Sequence, residues 1–296
     1  MRRVESDWQL SLPFGGRTRS FLVHVPPQAA TAPLPVVVNF HGGASNAVQQ
    51  RRYSGMNATA DRHGFVVVYP DGTGVRPGQR RFLTFNAGRC CPPAMLNNVD
   101  DVGFTRAIID MLAGRLPVDG RRIYATGMSN GGMMAHRLAA DSTLVAAVAP
   151  VAGQLNVATF APRRPVPVLE FHSVDDARAR YGGGESPPAR RGRFPAFPPV
   201  EEGLARWAAH NGCPPVPVVS PTITGARGTM NDGQTLTVLS YGPGRGGAEV
   251  VLYKFTGVGH VWPGSTQSLP VLLGRPTTLA DANEVMWKFF AAHPLA

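Results

Sequence analysis

Dense apolar runs recur along the chain, and amphipathic stretches separate them. The runs at 36–40 (Val-Val-Val-Asn-Phe), 65–69, 123–126, 144–151, 166–171 and 250–255 are nearly continuous, the pattern of strands covered on both faces. Helical spacing appears at 46–63, closed by Gly64, and again after Asp100 or Asp101, where Phe104, Ile108, Met111 and Leu112 share a face until Pro117. Further helices are predicted at 133–140, at 201–210 and at 279–290, the last with Thr278 as N-cap. Near the start, runs at 8–12 and 20–25 flank Phe14-Gly15-Gly16 and predict an antiparallel hairpin. Alternating strands and helices predict an α/β architecture, a mostly parallel central sheet with helices on both faces. There is no internal repeat, so residues 1–296 are read as a single domain. The Gly-, Pro- and Arg-rich stretch 182–199 is expected to be a mobile surface loop, and 214–229 a second one.

Composition changes this picture little. Hydrophobic residues make up 43% and charged residues 16%, the balance of an ordinary folded chain. No apolar run has the roughly 18 residues of a membrane-spanning helix. The opening MRRVESDWQL lacks the apolar stretch of a signal peptide. The formal net charge of +10 invites a nucleic-acid reading. However, the basic residues are scattered Arg pairs (51–52, 80–81, 163–164, 190–191) rather than a stripe on one element with interleaved aromatics. A solvated basic surface is the expectation, with adsorption to anionic polymers as its weaker consequence. Three cysteines, Cys90, Cys91 and Cys213, suit no zinc site. A bridge from Cys213 to either neighbour and three free thiols both fit the sequence.

The chemistry is concentrated at Gly127-Met128-Ser129-Asn130-Gly131, a G-x-S-x-G pentapeptide between a predicted strand and a predicted helix. So tight a turn forces the serine into a strained backbone, and glycines two residues to either side relieve the crowding. Ser129 is the candidate nucleophile. Acyl transfer also needs two donors for the oxyanion, commonly backbone N–H groups. Asn130 supplies one. The loop after the first apolar strand, His41-Gly42-Gly43, supplies the other, with Gly43 the first candidate and Ala44 the next.

Of eight histidines, His260 fits the base. It follows the last apolar strand on the glycine-bearing loop Gly257-Val258-Gly259-His260-Val261-Trp262-Pro263-Gly264, and it obeys the chain order serine, acid, histidine. His136 would point away from the serine, while His41 and His172 each end a strand. The acid belongs after the 166–171 strand, where position alone leaves Asp175 and Asp176 open. Trp262, His41 and Met128 are the candidate substrate-binding residues. Packing beneath the His260 loop fits Trp262 equally well. Phe194 and Phe197 are candidates for lining the cleft.

Taken in order, these segments resemble the polyhydroxybutyrate-depolymerase-like and feruloyl esterases, over roughly residues 15–292. The pieces that carry the likeness are Gly16-Arg17-Thr18-Arg19, His41-Gly42-Gly43, 64–72, Cys90-Cys91 with Val99-Asp100-Asp101-Val102-Gly103-Phe104, 124–133 and 259–264. The resemblance implies an α/β-hydrolase fold. In that family the acid stands four residues after a strand-ending histidine and five before a tyrosine. His172 and Tyr181 then place it at Asp176. It further implies a secreted ester hydrolase without metal or organic cofactor, acting on polyesters or on feruloyl and acetyl plant-wall esters. The partner is an ester substrate, polymeric or small, and a monomer is expected. A broad carboxylesterase and a non-catalytic basic binding protein are the alternatives. The family's disulfide from the Asn211-Gly212-Cys213 segment has no partner here, since 241–248 holds no cysteine.

Overall fold

The computed structural model describes residues 2–4, 7–27, 32–184, 196–267 and 270–296. β1 (Arg2–Val4), β2 (Asp7–Phe14) and β3 (Arg17–His24) run antiparallel. Gly15 and Gly16, with φ of 56° and 70°, form the two-residue turn of the predicted hairpin, since such loops need positive φ at both positions. β4 (Leu34–Phe40) is buried at every position. The 46–63 pattern is two helices rather than the single one expected, α1 (Ala47–Ser54) and α2 (Met56–His63). Gly55 lies between them at φ 61°, a left-handed turn that ends one helix and redirects the chain into the next.

β5 (Val66–Pro70), α3 (Asp101–Ala113), β6 (Val118–Met128), α4 (Asn130–Asp141), β7 (Ala147–Val151), β8 (Val168–Ser173) and α5 (Val200–Asn211) follow. Asp100 caps α3, accepting from the Gly103 N–H at 2.7 Å. Its neighbour Asp101 is buried, paired with Arg19 at 2.6 Å. The stretch expected as a second mobile loop contains β9 (Val218–Val219) and β10 (Ile223–Thr224), both paired with β11 (Thr235–Tyr241). β12 (Val250–Thr256), α6 (Pro270–Leu273) and α7 (Ala282–Ala292) complete the chain. Asp281, not Thr278, caps α7, accepting from the N–H groups of Asn283 and Glu284.

Among the described residues, twelve strands form one sheet in the order β1-β2-β3-β5-β4-β6-β7-β8-β12-β11-β10, with β9 beside β11. The six from β5 to β12 are parallel, and antiparallel strands border them on both sides. Period-two alternation sends their side chains to two separate cores. Val36, Val38 and Phe40 join Phe104, Met134, Leu138, Leu204 and Trp207 from α3, α4 and α5. Val37, Tyr69 and Phe171 join Met56, Ala60, Met286 and Phe290 from α2 and α7. Helices therefore cover both faces, as the apolar runs predict. A parallel sheet built this way gathers the carboxyl ends of β4, β6, β8 and β12 at one edge, and its connecting loops are free to meet there.

Candidate active site

Ser129 sits between β6 and α4 at φ 55° and ψ −119°, a backbone conformation that few non-glycine residues adopt. Its N–H donates to Val151 O at 2.8 Å, and its carbonyl accepts from Met133 N at 2.9 Å. The flanking glycines are a packing requirement. A Cβ at position 127 would lie 2.6 Å from both the Gly131 carbonyl carbon and the Phe40 oxygen, and one at 131 would collide with the Phe40 and His41 carbonyls. The elbow is thus wedged against the end of β4, which brings Ser129 beside the His41-Gly42-Gly43 loop.

The candidate acid and candidate base meet across the ends of β8 and β12. His260 Nδ1 lies 2.6 Å from Asp176 Oδ2. The other oxygen of Asp176 accepts the N–H groups of Arg178 at 2.7 Å and Ala179 at 2.8 Å. Asp176 is buried, and burial alone would raise its pKa. His260, then the nearby His172 and the Ala179 N–H, outweigh that effect and hold the carboxyl below its ordinary range. Asp175 instead points outward and accepts from Gly257 N at 2.6 Å, at the base of the histidine loop. Two further bonds fix that loop, His260 N to Leu273 O at 2.6 Å and Gly259 N to Arg275 O at 2.9 Å.

Ser129, Gly43, Asn130, Met128 and His260 all line one cleft of about 960 Å³. Asp176 lies behind the histidine. Among the described residues, no hydrogen bond joins the Ser129 hydroxyl to His260. The backbone N–H groups of Gly43 and Asn130 likewise have no partner there, whereas Ala44 N is committed to Leu83 O at 2.9 Å. Gly43 and Asn130 therefore remain the candidate donor pair, and Ala44 does not. The Asn130 side chain clasps Phe85 at both ends, Oδ1 accepting from its N–H at 2.8 Å and Nδ2 donating to its carbonyl at 3.0 Å.

Two expected substrate contacts are corrected. Trp262 is buried, with its indole N–H on Asn283 Oδ1 at 3.0 Å and its backbone N–H on the Tyr53 hydroxyl at 3.1 Å. It packs under the histidine loop and does not line the cleft. His41 is also fully buried. Its Nδ1 donates to Gly42 O at 2.7 Å, and its Nε2 accepts from Gly72 N at 3.0 Å. Burial pushes its pKa down to about 4, so the ring is neutral and braces the oxyanion loop against the turn after β5. Of the two loop phenylalanines, Phe197 lines the cleft, and Phe194 lies outside the described residues.

The cleft also holds residues that the sequence did not assign to it: Tyr53, Phe82, Met133, Arg178, Leu272 and the cysteine pair. Cys90 and Cys91 are bonded to each other, and Cys213 is free. Neither arrangement open to the sequence included that pairing. The adjacency of the two cysteines was the available signal. Among the described residues, no group of three or more metal-ligating side chains assembles, and no helix is long and apolar enough to cross a membrane.

The fold, with a cleft at the carboxyl edge of its parallel strands, is that of the α/β-hydrolase class. The family described as Esterase PHB depolymerase matches residues 19–161. The protein named "Putative esterase NocK" from Nocardia uniformis subsp. tsuyamanensis is 34% identical over 257 residues, 85% of this chain and 72% of that protein. The chain belongs to this esterase family. Feruloyl esterase B of Piromyces equi is 32% identical over 185 residues, 60% of this chain but only 33% of that protein. In fold, the acetyl xylan esterase from Aspergillus awamori superposes with a TM-score of 0.57 at 17% identity, covering 86% of this chain and 94% of that one.

Proposed function

We propose that the protein hydrolyses carboxylic esters through an acyl-enzyme on Ser129. His260 takes the hydroxyl proton as the Ser129 oxygen attacks the ester carbonyl. Asp176 holds the imidazole tautomer and balances the imidazolium that forms. The Gly43 and Asn130 N–H groups receive the oxyanion. Collapse of the tetrahedral species expels the alcohol, which leaves with the proton from His260. Water, activated by the same histidine, then releases the acid and restores the serine. The observation that carries this reading is the buried Asp176–His260 contact at 2.6 Å facing the same cleft as the strained Ser129.

The substrate reading rests on the lining. Phe82, Met128, Met133, Phe197, Leu272 and the cysteine pair make the walls largely apolar. That suits a bulky or aromatic acyl group, or a polyester segment, better than a charged one. The family description and the feruloyl esterase relative point the same way. Polymeric and plant-wall esters do not enter cells, so the enzyme acts as a secreted protein. It needs no second copy, because every group in the mechanism comes from one chain.

Trapping the intermediate tests the proposal. Incubation with a p-nitrophenyl phosphonate ester should add one phosphonyl group per chain, and peptide mapping should place it on Ser129. Modification elsewhere, or none, would remove the nucleophile from the account. Rates on ethyl ferulate and on poly(3-hydroxybutyrate) film then separate the two substrate classes.

A further inference from the structure

Behind the triad acid, on the side away from the cleft, lies a second polar chain that the mechanism above does not use. Glu170 is a carboxylate in the middle of β8, buried to 1% exposure in an otherwise apolar core. Its Oε1 lies 2.9 Å from His172 Nδ1 and its Oε2 3.1 Å from His136 Nε2. His172 Nε2 is 2.7 Å from the Ala179 carbonyl and 3.6 Å from Asp176 Oδ2, the oxygen that also holds His260.

Hydrogen-bond chemistry fixes most of the protons. An indole nitrogen only donates, and Trp207 Nε1 stands 3.1 Å from His136 Nδ1. His136 therefore carries its proton on Nε2 and donates it to Glu170. A carbonyl oxygen only accepts, so His172 Nε2 is protonated toward Ala179. The one remaining contact, His172 Nδ1 with Glu170, is either a charged pair or a neutral one with the proton on Glu170. Burial favours the neutral form. Against it stand two hydrogen bonds to Glu170 from the histidines, and a second carboxylate, Asp176, beside the His172 ring. The balance raises the pKa of His172 and lowers that of Glu170, in favour of the charged pair. The other ionisable groups around His172 do not offset this. Tyr181 meets the ring edge-on at 5.8 Å and is kept neutral by burial. Beyond it, Glu201 and Lys254 neutralise each other at 2.8 Å.

We infer that His172 is a buried imidazolium paired with Glu170, a positioning residue whose fixed charge on Asp176 extends activity toward acidic pH. A triad carboxylate ordinarily stabilises positive charge on its histidine. A second cation on the same oxygen opposes that charging, so His260 stays available as a base at lower pH than Asp176 alone would permit. This inference rests on the catalytic roles proposed for Asp176 and His260.

Glu170→Gln is the discriminating variant. Its amide oxygen accepts from His136 and its NH2 donates to His172 Nδ1, so every hydrogen bond survives while both charges disappear. Histidine side-chain 15N spectra of the wild type at pH 8 should contain an imidazolium, with both ring nitrogens protonated, that Glu170→Gln removes, while any imidazolium signal of His24, held between Asp7 and Asp61, persists in both proteins. The acidic limb of kcat/KM should move upward by roughly half to one pH unit in the variant, with the alkaline plateau held within about threefold and KM unchanged. A wild-type spectrum at pH 8 with no imidazolium that Glu170→Gln removes overturns the charge pair. A stationary limb in the variant, with or without a lower plateau, overturns the role and leaves only a packing contribution. The spectrum does not depend on turnover, so failure of the catalytic reading would be recognised separately, by activity that survives Ser129→Ala.

Discussion

The side chain of Asn130 grips the main chain of Phe85 at both ends, at 2.8 and 3.0 Å, and so ties the first residue of α4 to the segment that leads into the cysteine pair. The backbone N–H of Asn130 is one of the two proposed oxyanion donors, while its side chain holds the segment between the cleft-lining Thr84 and Cys90. One residue therefore sets the distance between them.

Asn130→Ala separates these two tasks. The backbone N–H remains, but the buried N–H of Phe85 loses its partner, while its carbonyl keeps the Cys91 N–H at 3.1 Å. A loss of about 1–3 kcal/mol in urea unfolding is expected, with a fall in kcat larger than any change in KM. Unchanged stability would mean that the clasp contributes nothing.

Asp176 and Asp175 should differ sharply. Asp176→Asn keeps the shape but lets the histidine adopt the wrong tautomer, and kcat should fall roughly 10³–10⁴-fold. Asp175→Asn retains an acceptor for Gly257 N and should stay within a few-fold of wild type. Steady-state kinetics on a soluble ester compare the two directly.

Gly127→Ala places a methyl group 2.6 Å from the Gly131 carbonyl carbon and the Phe40 oxygen. Both obstacles are backbone, so neither can swing aside. The variant should lose most activity and unfold at lower denaturant, by more than about 1 kcal/mol. A fully active Gly127→Ala enzyme would contradict the wedged elbow.

His41 gives the stability a pH dependence of known sign. Its ring is neutral in the folded chain, with a pKa of about 4 against an ordinary value of 6.5. Between those values the unfolded chain binds more protons, so stability is lost as pH falls from 6.5 toward 4. The span corresponds to about 3 kcal/mol. Carboxylates held low, Asp7, Asp176 and Glu170 among them, act below their ordinary values of 3.8 to 4.5, His172 and His24, held high, act above 6.5, and Asp101, held high, acts alike in both proteins. Wild type minus His41→Gln therefore isolates the effect. Parallel stability curves for the two proteins from pH 4.5 to 6.5 would refute it.

What the sequence reveals follows from how local each signal is. The elbow is legible because its glycines, serine and flanking apolar runs lie within a dozen residues. The parallel sheet is legible because strands buried on both faces read as unbroken apolar runs. The break at Gly55 is hidden, since one glycine near a helix end reads equally as a tolerated interior residue. Asp281 displaces Thr278 as the cap of α7 through its contacts with Asn283 and Glu284, which spacing does not distinguish. β11 alternates buried and half-exposed positions without a marked run, so periodicity passes over it. Trp262 and His41 stand beside site residues in the chain but turn inward, and neighbourhood in sequence carries no information on that choice. Glu170 did leave a trace, a lone charge within an apolar strand. Its partners, His136 and Trp207, come from α4 and α5, and only the folded chain brings them together.

The most direct measurement is hydrolysis of p-nitrophenyl butyrate by the purified protein and by its Ser129→Ala variant, with folding of both checked by circular dichroism. The account predicts turnover by the wild type and a loss of roughly 10³-fold or more in a folded variant. Equal rates in the two proteins, or no turnover by either, would contradict an acyl-enzyme on Ser129.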